Sequence, residues 1–134
     1  MVFPPAAPLI RVVAAVVEHD GRFLICLRPA HKRHGSLWEF PGGKCETGES
    51  DLDALKRELK EELDVRVTSL GSTLLEVHDS GSPYLIAFIA VTIDGVPQCI
   101  EHTAVAWQSP TELLALPLAP SDARFASYLR SLPQ

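Results

Sequence analysis

Three glutamates in one short segment have the type and spacing needed to bind divalent cations. Glu58, Glu61 and Glu62 stand at positions i, i+3 and i+4, so in a helix their carboxylates share one face. Like charges at this spacing repel one another, whereas Mg²⁺ takes carboxylate oxygens and leaves other positions to water and phosphate. The alternative is a solvated acidic face, which is common on Lys-rich helices.

The residues upstream of the cluster favour a cation site. Gly42 and Gly43 stand before it, and a backbone without side chains can approach a ligand closely. Glu49 follows the glycines, and Arg57 directly precedes Glu58. We expect Arg57 to pair with Glu49 through two hydrogen bonds and so to fix the loop on the helix.

An amphipathic helix is predicted over residues 51–63, with Ser50 as its N-cap. One stripe of this helix is apolar: Leu52, Leu55, Leu59 and Leu63. The carboxylates centre roughly 110° away from that stripe, by the period of 3.6 residues per turn. The leucines can therefore face a core while the glutamates line an adjacent surface.

Strands are predicted on both sides of this helix. Apolar, β-branched runs at 9–18 and 22–28 flank a His-Asp-Gly turn and predict a β-hairpin. Further strands are predicted near 65–77, 84–93 and 99–107, and helices from residue 110 and over 121–132. Strands mixed with two or three helices predict an α+β fold or a mixed-sheet sandwich.

Length and composition limit the classes of protein. The 134 residues fit a single domain spanning 1–134, in which the Pro-rich residues 1–8 form a loose tail. The net charge of −5 argues against binding to a nucleic acid polymer. We expect no signal peptide, because the N-terminal stretch lacks a basic region before an apolar core. We also expect no membrane span, because no run of about 18 apolar residues occurs.

The cysteines and histidines indicate neither a disulfide framework nor a zinc site. The three cysteines are an odd number, and no two of them form a C-x-x-C pair. This cysteine usage is typical of proteins in a reducing cytoplasm. The histidines lack metal-ligand spacing, and loop or surface positions are expected for all five: His19, His31, His34, His78 and His102. A protein of the cytoplasm is therefore predicted.

Residues 43–65 resemble the Nudix box of the Nudix hydrolase superfamily, G-x5-E-x7-R-E-U-x-E-E-x-G-U, where U is aliphatic. The matching positions are Gly43, Glu49, Arg57, Glu58, Leu59, Glu61, Glu62, Leu63 and Val65. One position departs, because Asp64 replaces the second glycine; Asp tolerates the left-handed turn expected there better than most residues. The segments VVAAVVEHDGRFLICLRPA, LWEFPGGK and LPLAPSD, with Glu101 and Trp107, resemble the MutT-like branch.

The resemblance implies a fold and an activity. The fold is an α/β/α sandwich around a central mixed sheet, within the α+β class. The activity is Mg²⁺-dependent hydrolysis, with Mn²⁺ as a possible substitute, of a nucleoside triphosphate to a monophosphate and pyrophosphate. The resemblance further implies house-cleaning of oxidised or non-standard nucleotides such as 8-oxo-dGTP or CTP-like compounds, by a monomer or homodimer.

The resemblance also implies roles for the acidic residues. Glu58 and Glu62 would be direct metal ligands, together with the backbone carbonyl of Gly42. Glu61 would hold a second cation, and Glu101 would complete that site from another loop. Either Glu58 or Glu101 could accept the proton of the attacking water, and the two alternatives stay open.

Four residues are candidates for contacting the nucleotide: Arg28, Phe40, Lys44 and Asp122. Arg28 matches a nucleotide-contacting position of the branch. Phe40 could stack on a base or belong to the core, and Lys44 could contact phosphate or be an exposed loop lysine. Asp122 could read the base, or serve as an N-terminal helix residue. An ionised carboxylate accepts hydrogen bonds only, which suits a cytosine amino group or the adjacent donors of guanine.

Two other functions fit the same residues. One is a Nudix diphosphatase for ADP-ribose, dinucleoside polyphosphates or nucleotide sugars. The other is a non-catalytic nucleotide-binding domain, which is disfavoured because all four carboxylates of the box are retained.

Overall fold

The computed structural model describes residues 8–133 and contains eight strands and three helices within that range. The strands are β1 (Ile10–Val16), β2 (Glu18–His19), β3 (Arg22–Leu27), β4 (Trp38–Glu39), β5 (Gly42–Lys44), β6 (Arg66–Val77), β7 (Tyr84–Asp94) and β8 (Ala104–Gln108). The helices are α1 (Asp51–Leu63), α2 (Pro110–Leu114) and α3 (Pro120–Ser131). The predicted acidic helix is confirmed with both of its bounds.

The strands form two four-stranded sheets. The first is mixed and has the order β5-β1-β7-β6, in which β1 and β7 run parallel and the other neighbours antiparallel. In the second sheet, β3 pairs antiparallel with β2, β4 and β8. The first sheet carries the glycines of β5 beside β1, where Val13 lies opposite Gly43 and Ala14 opposite Gly42.

Helices cover opposite faces of this framework. Alternate residues of β1 point to different sides, as the period of two requires: Val13, Ala15 and Val17 pack in one core cluster, and Ala14 and Val16 in another. The first cluster contains the buried leucines of α1, and the second contains Leu113 of α2 and Phe125 and Leu129 of α3. The predicted α+β sandwich is confirmed.

Both ends of α1 are capped by local chemistry. The Ser50 side chain accepts a hydrogen bond from the backbone N–H of Asp53 at 3.1 Å, as the predicted N-cap requires. Asp64 ends the helix in the left-handed conformation, with φ of 53°, and its N–H donates to the Lys60 carbonyl. The residue that replaces the box glycine therefore does what that glycine is expected to do.

Two predictions about strands are wrong. Strands β1 and β3 do not form a hairpin, because they belong to different sheets. The short strand β2 pairs with the start of β3, and the Val17 carbonyl accepts a hydrogen bond from the Leu24 N–H. The last strand begins at Ala104, and residues 99–103 form a loop instead. Backbone N–H groups of this loop and of the residue before it bind the end of α1. Gln98 donates to the Leu63 carbonyl, and Ile100 donates to the Glu62 carbonyl.

In the described part of the chain, no helix combines the length and the apolar character needed to cross a membrane.

Candidate active site

An open cleft of about 670 Å³ lies where α1, β5, the loop after β3 and the start of α3 meet. Its volume is within the range of small-molecule sites. Acidic residues line it: Glu39, Glu58, Glu62, Asp79, Glu101 and Asp122. Basic residues also line it: Arg28, Arg33, His34 and Lys44. The cleft therefore offers ligands for cations beside donors for anionic groups.

The three helix glutamates have different surroundings. Glu58 and Glu62 line the cleft, and the Glu62 side chain is only 6% exposed. Glu61 is exposed, does not line the cleft, and places Oε2 3.8 Å from Arg57 Nη1. Glu58 and Glu62, one helical turn apart, therefore both face the cleft, while Glu61 lies outside the cleft lining.

Glu62 is a buried carboxyl among like charges. Burial, and then the neighbouring charges of Glu58, Glu39 and Glu101, raise its pKa far above the ordinary value. Its Oε2 atom is buried and has no hydrogen-bond partner in the described residues. A buried oxygen without a partner is costly, and a cation bound in the cleft would satisfy it and reduce the repulsion.

Arg57 connects the loop to the helix, and the expected pair is confirmed. Its Nε and Nη2 atoms donate to both oxygens of Glu49 at 2.9 and 2.8 Å, and Nη2 also donates to the Lys44 carbonyl. The same guanidinium reaches forward, where Nη1 donates to Glu58 Oε1 at 2.8 Å. The pairing with Arg57 lowers the pKa of Glu49 to about 2, so the pair stays ionised at neutral pH.

Gly43 makes room for the Glu58 carboxylate. A Cβ atom at this position would overlap the carboxylate carbon and both of its oxygens. Since Arg57 holds Glu58 in this place, a side chain at residue 43 would displace the carboxylate from the cleft. The close approach that the paired glycines predicted therefore occurs between β5 and a glutamate of α1.

Glu101 reaches the cleft from the loop between β7 and β8. The N–H of Ile100 donates to the Glu62 carbonyl at 3.3 Å, and that of Thr103 donates to the Leu27 carbonyl at 2.9 Å. These bonds fix the chain on both sides of Glu101, which lines the cleft. The loop that the sequence predicted as strand thus brings a fourth carboxylate toward α1.

Two residues beside these glutamates were not among the predicted site residues: Glu39 and His102. His102 lies in a loop, which agrees with the expected loop or surface position, but it is buried, at 8% exposure. Its Nε2 atom is 2.9 Å from Glu39 Oε2 and 3.6 Å from Glu62 Oε1. The ligand atoms of these three residues all lie within 4.8 Å of one another. The sequence did contain one signal for His102: it directly follows Glu101, which was already a candidate site residue.

The four residues expected at the nucleotide all line the cleft: Arg28, Phe40, Lys44 and Asp122. Arg28 Nη1 donates to both oxygens of Glu39 at 3.1 Å. Lys44 is exposed, with Nζ 5.2 Å from the centre of the Tyr84 ring. Arg28 and Lys44 thus place basic side chains at the cleft wall.

The Phe40 ring belongs to the core. It is 4% exposed and packs edge-on against Phe88 and Phe125, so of the two alternatives left open, the core position is the one observed. Its backbone N–H points the other way and donates to Asp122 Oδ1 at 2.8 Å.

Asp122 is half-buried at the first turn of α3 and faces the cleft. Burial, together with the nearby charge of Glu39, raises its pKa to about 7, although the hydrogen bond from the Phe40 N–H acts in the opposite direction. Near neutral pH this group can therefore either accept or donate a hydrogen bond. The edge of a nucleotide base carries both hydrogen-bond donors and acceptors, so either form of Asp122 could bind one.

Comparisons with known proteins identify the family. The profile of the NUDIX domain matches residues 8–129. The CTP pyrophosphohydrolase of Escherichia coli is 43% identical over 117 residues, which cover 85% of this chain and 86% of that protein. An 8-oxo-dGTP diphosphatase of Proteus vulgaris is 39% identical over 88 residues, covering 62% and 76%. The solution structure of the Escherichia coli ORF135 protein superposes with a TM-score of 0.71, at 39% identity and 92% coverage of each chain. The chain is therefore a member of the Nudix hydrolase family.

Proposed function

We propose that the protein is a Mg²⁺-dependent nucleoside triphosphate pyrophosphohydrolase, which releases a nucleoside monophosphate and pyrophosphate. The observation that carries this proposal is the buried Glu62 carboxylate, with an unpartnered oxygen, beside Glu58 in a cleft that also contains arginine and lysine. Carboxylate oxygens suit hard divalent cations, and the basic side chains suit the phosphates of the substrate.

The donor set fits a divalent cation. Glu58 and Glu62 offer carboxylate oxygens to the cleft, and Gly42 lines the same wall next to Gly43, so that its carbonyl is the proposed third ligand. Glu61 and Glu101 are proposed to hold a second cation. When bound, such cations neutralise phosphate charge and lower the pKa of the attacking water. Mn²⁺ is expected to substitute, because it accepts the same oxygen ligands.

The chain's own residues supply position and proton transfer. Arg57 and Glu49 are proposed to act as one unit, which holds the β5 loop on α1 and keeps one oxygen of Glu58 engaged. Either the Glu58 carboxylate or the Glu101 carboxylate accepts the proton of the attacking water, and the two alternatives stay open. Both residues line the cleft, which supports either of them as the general base.

The nucleotide is proposed to lie between the acidic end and α3. Arg28 and Lys44 contact the phosphates or ribose from the cleft wall, and Asp122 reads the base. The names of the relatives, a CTP pyrophosphohydrolase and an 8-oxo-dGTP diphosphatase, support a substrate with a cytosine or an oxidised guanine. Removal of such nucleotides would serve as house-cleaning of the precursor pool.

The organisation of the molecule is proposed on the same basis. Strands β1 and β3 contribute to both core clusters, which supports one domain over 1–134; the tail proposed at 1–8 lies almost wholly outside the described residues. We infer a cytoplasmic monomer or homodimer that binds no nucleic acid polymer. Its three cysteines are free thiols, as expected in a reducing compartment.

A pyrophosphate-release screen tests the proposed substrate class. Purified protein is assayed with Mg²⁺ against CTP, dCTP, 8-oxo-dGTP, unmodified nucleoside triphosphates, ADP-ribose, diadenosine polyphosphates and nucleotide sugars. The proposal expects release of pyrophosphate from at least one triphosphate, and none when EDTA replaces Mg²⁺. Turnover confined to ADP-ribose, dinucleoside polyphosphates or nucleotide sugars would overturn it, and binding without turnover would indicate a non-catalytic domain.

A further inference from the structure

His102 occupies a buried position between α1 and the second sheet, where the backbone is fixed on both sides. The residues before it donate to the C-terminal end of α1, through Ile100 N–H to the Glu62 carbonyl. The residue after it, Thr103, donates to the Leu27 carbonyl at the end of β3. The imidazole is therefore held at the junction between the acidic helix and the second sheet.

The imidazole touches carboxylates on both sides of that junction. Its Nε2 lies 2.9 Å from Glu39 Oε2 and 3.6 Å from Glu62 Oε1. Glu39 is in turn held by Arg28 Nη1, which donates to both of its oxygens at 3.1 Å. A continuous series of polar contacts thus runs from Glu62, through His102 and Glu39, to Arg28.

The chemistry of these contacts indicates that His102 orients the two carboxylates and does not merely fill space in the core. Two carboxylates this close repel each other. The imidazole tautomer with its proton on Nε2 would place a single N–H group between them and attract both. The other ring nitrogen, Nδ1, is buried without a partner in the described residues. The Nε2 contacts are therefore the polar contacts that set the direction of the ring.

We propose that His102 is a positioning residue which, through Nε2, orients Glu62 toward the cation site and Glu39 toward Arg28, so that one imidazole supports both cation binding and nucleotide binding. This inference rests on the proposed function, in which Glu62 binds the cation and Arg28 contacts the nucleotide. His102 itself touches neither the substrate nor the reacting atoms. Residues that orient metal ligands typically contribute about 10- to 100-fold to metal affinity.

Three variants separate this role from a structural one. His102→Leu removes both ring nitrogens, and His102→Gln keeps an amide N–H at about the reach of Nε2. His19→Leu is the matched control, because His19 is exposed and lies outside the cleft lining. Each folded variant is first checked by circular dichroism and thermal unfolding.

The readouts are Mn²⁺ affinity without nucleotide, measured by electron paramagnetic resonance, and the steady-state KM and kcat. For His102→Leu we expect the Kd for Mn²⁺ to rise at least about tenfold and KM to rise as well. His102→Gln should recover most of both losses, and His19→Leu should match the wild type.

Several outcomes would overturn the inference. A folded His102→Leu variant with the wild-type Kd for Mn²⁺ and wild-type KM would do so, as would a His102→Gln variant no better than His102→Leu. Where the leucine variant fails to fold, His102→Gln decides: affinity within about threefold of wild type supports the role of an N–H donor at this position, and a tenfold loss contradicts it. A wild type that binds no Mn²⁺ would instead reject the proposed function itself.

Discussion

At the scale of single residues, Glu62 shows how a site can be costly for the fold and useful for binding. Its carboxyl is buried, next to other carboxylates, and one oxygen has no partner in the described residues. A buried charge without a partner opposes folding. A bound cation would supply the missing positive charge. The buried carboxyl would then lower the stability of the metal-free protein only.

Replacement of Glu62 by Gln should stabilise the metal-free protein. Because the folded pKa of Glu62 is raised above its unfolded value, the folded state binds the extra proton, and stability declines as pH rises above about 4.5. Glu62→Gln removes this decline, so its advantage should grow to about 1–3 kcal/mol at pH 8 and be small at pH 4. Urea unfolding in EDTA at both pH values measures it; a variant less stable than wild type at pH 8 would contradict the account.

Asp122→Asn should change the choice of base while leaving the fold intact. The amide oxygen can still accept from the Phe40 N–H, whereas the other atom becomes a permanent donor. Since the pKa of Asp122 is raised to about 7, the wild-type ratio of kcat/KM for CTP and 8-oxo-dGTP should vary between pH 6 and pH 8. The ratio in Asp122→Asn should be at least about tenfold different and independent of pH. Equal ratios in the two proteins would remove Asp122 from base recognition.

The sequence predicted some site residues and not others, for a physical reason. Glu58 and Glu62 could be predicted because helical spacing alone places them on one face. Glu39 and His102 are 63 residues apart, and their contact depends on how a loop packs against the end of α1. Periodicity carries no information about such a contact.

At the scale of elements, the turn from β5 to α1 holds the site together. Ser50 caps the helix, and Arg57 reaches back to Glu49 and forward to Glu58. Gly43 provides the space into which the Glu58 carboxylate fits. The geometry of the carboxylates therefore depends on the strand beside the helix as much as on the helix.

Gly43→Ala should lower activity more than stability. The added methyl group would overlap the Glu58 carboxylate, and the flexible end of that side chain can move away. We expect kcat to fall at least about tenfold, as when a metal ligand loses its support, with a change in unfolding free energy below about 1 kcal/mol. Gly48→Ala is unsuitable as a control because of its positive φ of 79°; Asp53→Asn on the exposed face of α1 serves instead. Unchanged kcat in Gly43→Ala would show that the Glu58 position is unimportant.

Elements with local signals were predicted more accurately than their pairing. The bounds of α1 follow from its leucine stripe and caps, and Pro110 marks the start of α2. The pairing of β1 was predicted wrongly. Two apolar runs joined by a turn have the same sequence pattern whether the runs pair as a hairpin or enter different sheets. Here the change of sheet occurs at Val17, between β1 and β2.

At the scale of the whole molecule, the fold concentrates charge of both signs in one cleft. The net charge of −5 predicts no general attraction to polyanions. The cleft instead combines acidic residues, which are the proposed cation ligands, with Arg28, Arg33 and Lys44. A cation bound there also joins α1 to the loop that carries Glu101. Binding should therefore stabilise the fold as a unit.

Saturating Mg²⁺ should raise the melting temperature. A ligand at 100 times its Kd stabilises the folded state by about 2.7 kcal/mol, which corresponds to at least about 5 °C for a chain of this size. Differential scanning calorimetry at constant ionic strength, with NaCl as the matched control, measures the shift. The Glu62→Gln variant should show little of it, and an equal shift in that variant would place the cation elsewhere.

The most direct test of the account is Mg²⁺-dependent pyrophosphate release by the wild type, Glu58→Gln and Asp53→Asn. All three should show the same circular dichroism, because Glu58 faces the cleft and Asp53 faces solvent. The account predicts that Glu58→Gln loses at least about a hundredfold in kcat, while Asp53→Asn keeps wild-type turnover. Near-wild-type turnover in Glu58→Gln at every Mg²⁺ concentration would contradict the claim that the carboxylates of α1 bind the catalytic cation.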